Sequence, residues 1–179
     1  MGRSRYKILD ESYPYFITSS IVGGYSLFKE KRFINVIIDG LNFLSRERNI
    51  SIYAYVIMPN HLHFISQGRN LSKYVSSFKS FAARQSIDKL KEEENEFWLD
   101  RLKEARVNTK IDREYQLWTE GFHPKQIFSS KVMEQKINYI HYNPVTAGLV
   151  EKESDWLYSS YGDYYGNSTR FVDIERYRG

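Results

Sequence analysis

The stretch that decides the fold is "VIMPNHLHFIS", residues 56–66. It reads as strand, tight turn, strand. Pro59–Asn60 supplies the turn chemistry between "SIYAYVIM" (51–58) and "HLHFIS" (61–66), two runs rich in β-branched and aromatic residues, so a hairpin is expected. The stretch also sets two of the chain's four histidines one residue apart in apolar surroundings. Side chains alternate across a strand, which puts His61, His63 and Ile65 on one face and Leu62 and Phe64 on the other.

Upstream, "YPYFITSSIV" (13–22) reads as a first strand closed by Gly23–Gly24. From Glu30 to Arg48, Ile34, Ile37, Ile38, Leu41 and Leu44 recur at three- and four-residue steps and predict an amphipathic helix. Downstream, Asn70 is placed to cap a second helix over about 71–90, with Tyr74, Val75, Phe78, Phe81 and Ala82 on one side. Residues 91–114 are densely charged and of mixed sign, which suggests a solvated helix or an excursion from the domain. A third helix, about 129–143, is opened by Ser129–Ser130 and expected to stop at Pro144. The aromatic tail from Trp156 onward shows no clear period. Strand, helix, strand, strand, helix is the order of an α+β sandwich, ferredoxin-like or RRM-like, with helices on an antiparallel sheet. Residues 1–179 are expected to form one domain carrying the charged excursion.

Composition narrows the setting. With 41% apolar and 16% aromatic residues the chain should fold as a globule. The first sixteen residues lack the apolar core and cleavage site of a signal peptide, and no run approaches the roughly 18 apolar residues of a membrane helix. Zero cysteines exclude disulfides and thiolate metal sites, as suits a cytoplasmic protein. Lys and Arg outnumber Asp and Glu about two to one in residues 1–90, while the second half is slightly acidic. A basic half suits a polyanionic partner, although a net charge of +4 is also ordinary for solubility.

Two histidines on one strand face can share a metal ion, but they leave it short of ligands. An isolated His-x-His is more often a pair of strand histidines satisfied by backbone or water, so a third group decides the reading. Histidine-triad nucleotide hydrolases need a third histidine, where this chain has Ile65. HUH nucleases instead pair His-apolar-His with a tyrosine on a separate helix. "KINYIHYNPVTAGLV" (136–150) meets that requirement: Tyr139 and Asn143, four apart, lie about one turn apart on one helix face. Tyr142 lies roughly 300° around the helix from Tyr139. Among 15 tyrosines most are packing, and the spacing to Asn143 singles this one out.

"YVIMPNHLHFI", "SFKSFAARQ", "LWTEGFH", "YIHYNPVTAGLV" and "SDWLYSSY", in that order over most of residues 13–165, resemble the single-tyrosine HUH transposases of the insertion-sequence-200-like group. The similarity is greatest to the REP-associated tyrosine transposases. By matching positions the resemblance implies the HUH endonuclease fold, His61, His63 and Asn143 as ligands of Mg²⁺ or Mn²⁺, and Tyr139 as nucleophile. Asn at 143 is the REP-associated form; mobile members of the wider group carry Gln there. The implied activity is cleavage and rejoining of single-stranded DNA through a 5′-phosphotyrosine, beside the foot of an imperfect (REP-like) hairpin, in the bacterial cytoplasm. Family members act as monomers or as homodimers that exchange the tyrosine helix.

Lys73, Lys79 and Arg84, with Arg3, Arg5 and Lys7, are candidate phosphate contacts, and Phe78 or Phe81 could stack on a base, though aromatics at helical spacing are more often core. His141, two residues past Tyr139, should face away, and neither it nor His123 is read as a ligand. Trp98, Trp118 and Trp156 read as packing. Two other functions compete: a non-catalytic ferredoxin-like nucleic-acid-binding module, and a metal-dependent phosphoesterase that uses water and forms no covalent adduct.

Overall fold

A computed structural model describes residues 8–108, 112–166 and 170–179. The predicted hairpin forms as expected. β2 (Ser51–Met58) and β3 (His61–Gln67) pair antiparallel across Pro59–Asn60. That turn is pinned from outside, because Ile21 N–H donates to the Asn60 carbonyl and Phe28 N–H to that of Pro59, both at 2.9 Å. β1 (Tyr15–Ser20) pairs with the other edge of β3, and the two-residue β4 (Lys125–Gln126) pairs with β1. The four antiparallel strands run in the order β2-β3-β1-β4, the ferredoxin-like arrangement expected.

Alternation divides the sheet into two unlike faces. Ile17, Ile52, Tyr55, Ile57, Leu62 and Phe64 point to the main core, against α1 (Lys31–Arg48) and α2 (Leu71–Glu92). α1 buries the predicted stripe of Ile34, Ile37, Ile38, Leu41 and Leu44 and ends at Asn49, whose left-handed conformation Asn tolerates well. Gly40 lies where the two helices cross: a Cβ there would sit 2.6 Å from the Phe78 ring, so only glycine permits the approach. The opposite face, with Phe16, Ala54, Val56, Met58 and Ile65, packs on Met133, Ile137 and Ile140 of α4 (Ser130–Thr146). A register shift between Ile52 and Ala54 lets Tyr53 and Ala54 both serve this face.

Three local expectations need correction. Asn70 precedes α2 but makes no side-chain cap; its backbone is left-handed, which turns the oxygen away from the first-turn amides. Pro144 does not stop α4. The helix continues to Thr146, because proline forfeits only its own N–H bond and the following amides still find helical partners, with Ala147 N–H donating to the Asn143 carbonyl at 3.0 Å. The charged stretch after α2 holds α3 (Glu96–Glu104), which does not stand off in solvent: Leu99 and Leu102 are buried in the main core, and Trp98 donates to Glu30 Oε1.

The tail, unreadable from its sequence, covers the free edge of β2. Ile57 N–H donates to Tyr158 O, Ser160 N–H to Tyr55 O, and Glu175 N–H to Ile52 O. Covering an edge in this way removes a row of unpaired backbone groups. A one-turn helix, α5 (Tyr161–Tyr165), follows the first of these contacts.

Candidate active site

β3 brings both histidines to the α4 face, and β1 supplies what fixes them. Thr18 lies directly opposite His63, and its hydroxyl is 2.8 Å from His63 Nδ1. Phe16, two residues along the same face, stacks on the His63 ring at 5.1 Å. His61 Nδ1 is 2.6 Å from Asn60 Oδ1. The Asn60 amide donates its Nδ2–H to the Gly24 carbonyl at 3.3 Å, which orients its oxygen toward the imidazole. Oxygen can only accept, so Nδ1 of His61 carries the proton and Nε2 keeps its lone pair. In His63 Nδ1 is taken and Nε2 is the nitrogen left for a ligand, whereas His61 engages Asn60 through Nδ1 and also hydrogen-bonds the Asn143 side chain.

Burial favours the neutral form of both imidazoles. His63 is 6% exposed, and its pKa is pushed down to about 3 by desolvation first, then by His61, Lys136 and Lys125. His61, half-buried, is also lowered by desolvation, opposed by a side-chain hydrogen bond with Asn143. Asn143 thus sits at His61, one helical turn beyond Tyr139. The Tyr139 ring meets His63 edge-on at 5.6 Å and Phe16 at 5.8 Å while staying 48% exposed. The two histidine rings are 4.7 Å apart. All four predicted site residues therefore converge within one chain, from β3 and from a helix more than 60 residues later.

The donor set fits a divalent ion. It offers two imidazoles and one amide, and leaves coordination positions for water or substrate oxygen. Among the described residues, no group of three or more His, Cys, Asp and Glu could hold a metal ion.

The remaining candidates separate by location. Lys79 is a correction: it is buried, its ammonium donates to the Thr119 carbonyl at 3.2 Å and to that of Gly121, and Trp118 Nε1 returns a bond to its carbonyl. Desolvation lowers its pKa to about 8, and its hydrogen bonds are spent on the 119–121 loop. Lys73 and Arg84 are exposed, but on α2, across the sheet from the histidines. Arg3, Arg5 and Lys7 lie outside the described residues. Phe78 is core and Phe81 is partly exposed. His141 faces away from the site, buried against Tyr161, Tyr164 and Tyr165 with Nε2 2.9 Å from Ser160 Oγ. Trp156 packs against the tail side of α4 and donates to the Ile57 carbonyl.

Sequence reading missed Thr18, Asn60, Phe16, Lys125 and Lys136. Lys136 was within reach, since it lies one turn before Tyr139 on the same face; its Nζ stands 5.6 Å from the Tyr139 ring and 5.1 Å from that of Phe16. Phe16 and Thr18 could be found only through the register of β1 on β3.

Comparison with known proteins agrees with the resemblance drawn from the motifs. A Haemophilus influenzae (strain Rd) protein named as a REP-associated tyrosine transposase is 31% identical over 109 residues, 60% of this chain. The match spans 57% of that relative, little more than half its length. The structure of a REP-associated tyrosine transposase bound to a REP hairpin superposes with a TM-score of 0.65 at 18% identity, covering 100% of this chain and 94% of that one. The two proteins share a fold. A transposase-named structure from Deinococcus radiodurans gives a TM-score of 0.44 at 13% identity, over 78% of this chain and 95% of that one. No family model matches the chain.

Proposed function

We propose that this protein cleaves and rejoins single-stranded DNA beside hairpin, REP-like elements, as a cytoplasmic transposase of the REP-associated tyrosine type. The observation that carries this reading is the meeting of Tyr139 with His63 at 5.6 Å while Asn143, on the same helix face, reaches His61. A histidine pair with one ring buried, the other half-buried and both Nδ1 atoms engaged, beside a half-exposed phenol, suits phosphoryl transfer better than packing. The named relative and the shared fold support the same class.

Tyr139 presents its phenol oxygen to the scissile phosphorus. The O–P bond to tyrosine forms, the P–O3′ bond breaks, and the phenolic proton ends on the departing 3′-oxygen. A 5′-phosphotyrosine and a free 3′-hydroxyl result, and attack by another 3′-hydroxyl reverses the step without an external energy source. A phenol with a pKa near 10 is a poor nucleophile, so the site must supply positive charge. Mg²⁺ or Mn²⁺ held by His61, His63 and Asn143 would polarise a phosphate oxygen. Thr18 and Asn60 keep the imidazoles oriented, and burial keeps them unprotonated. In this arrangement one chain contributes every group, which supports a monomer over a homodimer that exchanges the tyrosine helix.

The test is incubation with a labelled hairpin oligonucleotide bearing single-stranded flanks, with Mn²⁺, followed by denaturing electrophoresis and peptide mapping. The expected result is a covalent adduct on Tyr139. Cleavage without an adduct would favour the water-using phosphoesterase; hairpin binding without cleavage would favour a non-catalytic module.

A further inference from the structure

The face of α4 that carries Tyr139 and Asn143 begins one turn earlier with Lys136. Its ammonium lies over two aromatic rings, 5.1 Å from the Phe16 centroid and 5.6 Å from that of Tyr139. Rings under a cation hold it in place without neutralising it. Lys125, opposite Phe16 in the register of β4 on β1, lies on the same side, and both lysines act electrostatically on His63. Among the described residues no carboxylate pairs with either ammonium, although Arg32, Arg46, Lys103, Arg113 and Arg170 all have acidic partners. A half-buried, unneutralised cation beside a nucleophile and two neutral imidazoles is a place for an anion.

We infer that Lys136 is a further catalytic residue, its ammonium binding a non-bridging oxygen of the phosphate that Tyr139 attacks. The inference rests on the proposed function and adds to it a contact made by the chain itself. Held between the Phe16 and Tyr139 rings, Lys136 stands on the nucleophile's side of the site. It offsets charge that grows on the phosphoryl oxygens as the phenol adds. A cation placed there also fixes the phosphate relative to the phenol, because the ammonium and the ring share one helix face at a spacing of three residues.

The binding test uses full-length protein carrying Tyr139→Phe, so that nothing is cut. Fluorescence anisotropy compares a hairpin oligonucleotide having an ordinary phosphodiester at the mapped cleavage linkage with one having a neutral methylphosphonate there. Lys136→Met, which keeps the stem over the rings, should weaken binding of the phosphodiester by roughly 10–100-fold, the worth of one charge-assisted hydrogen bond. It should leave the methylphosphonate within about 2-fold, and lower the salt slope by roughly 0.7 for the ordinary strand alone. Lys136→Arg should recover most of the loss. Equal weakening of both oligonucleotides would overturn the inference and return Lys136 to ring packing. In the Tyr139 protein, Lys136→Met should slow single-turnover adduct formation by roughly 10²–10³-fold. An adduct formed at the wild-type rate would overturn the assignment of Lys136 alone. Failure of the wild type to form any adduct would overturn the proposed function itself.

Discussion

The two faces of β3 are built from neighbouring residues and follow opposite rules. Leu62 and Phe64 are wholly buried among hydrocarbon from α1 and α2, where nothing polar is required. His63, one residue away from each, is also buried and His61 is half-buried, yet both rings make polar contacts, to Thr18 and to Asn60 and Asn143. The first face gains stability from burial, about 1.5–3 kcal/mol for each large side chain. The second gives some of that up to hold two imidazoles neutral. Period-two alternation thus lets one seven-residue strand serve both the core and the candidate site, and the core face keeps the other face rigid.

The sharpest way to break the comparison is to remove one oxygen from the site face. Tyr139→Phe should abolish the covalent adduct on denaturing gels while hairpin affinity and melting temperature stay near wild type. A persisting adduct would assign the nucleophile to another tyrosine.

Adjacent substitutions on β3 should then part company. His61→Ala and His63→Ala should lose cleavage, as should wild type under chelator, and both should stay folded by circular dichroism. Phe64→Ala should cost about 3–5 kcal/mol in denaturant titration yet cut at the normal rate per folded molecule. Full-rate cutting by chelated wild type would sink the metal assignment. Mixing Tyr139→Phe with His63→Ala should restore nothing, because nucleophile and histidines meet within one chain; recovered activity would point to an exchanged helix.

Asn143→Ala should lower metal affinity and cleavage together by about 10–100-fold, read from an Mn²⁺ titration of single-turnover rates. α4 runs on past Asn143 to Thr146, so the side chain is not needed to end the helix. An unchanged metal midpoint would remove Asn143 from the ligand set.

A further effect concerns acid. His63 and His141 are buried neutral, with pKa values lowered by desolvation to about 3 and about 4. Between those values and 6.5 the unfolded chain binds protons that the native state refuses. The stability they contribute is complete above pH 6.5 and falls as pH drops, by about 1.4 kcal/mol per unit for each histidine. Melting temperatures at pH 7, 6 and 5 should decline accordingly, and His141→Gln should shallow the slope. A flat profile would mean that these rings charge freely in the folded protein.

What could be read from the sequence was what short range determines. Alternation in "HLHFIS" placed the histidines, three- and four-residue steps placed α1 and α2, and the spacing of four placed Tyr139 with Asn143. What escaped depends on partners distant in the chain. Lys79 looked like any helix lysine until the 119–121 loop was found folded over it. Thr18 and Phe16 matter only because β1 lies in one register on β3. The tail has no period because its strand-like residues complete another element's edge. Pro144 misled because it forfeits its own N–H bond without ending the helix, and the amides after it still find partners, Ala147 N–H on the Asn143 carbonyl among them.

The separation of the histidines from the tyrosine along the chain has a consequence for synthesis. A nascent polypeptide emerges amino end first, so β1, β2 and β3 can assemble the histidine pair well before α4 leaves the ribosome. Until α4 docks, the pair has neither Asn143 nor Tyr139 beside it. On the proposed chemistry, a prematurely released fragment that lacks α4 can neither cut DNA nor become covalently trapped on it. On that reading the group that would react emerges from the ribosome after the histidine pair.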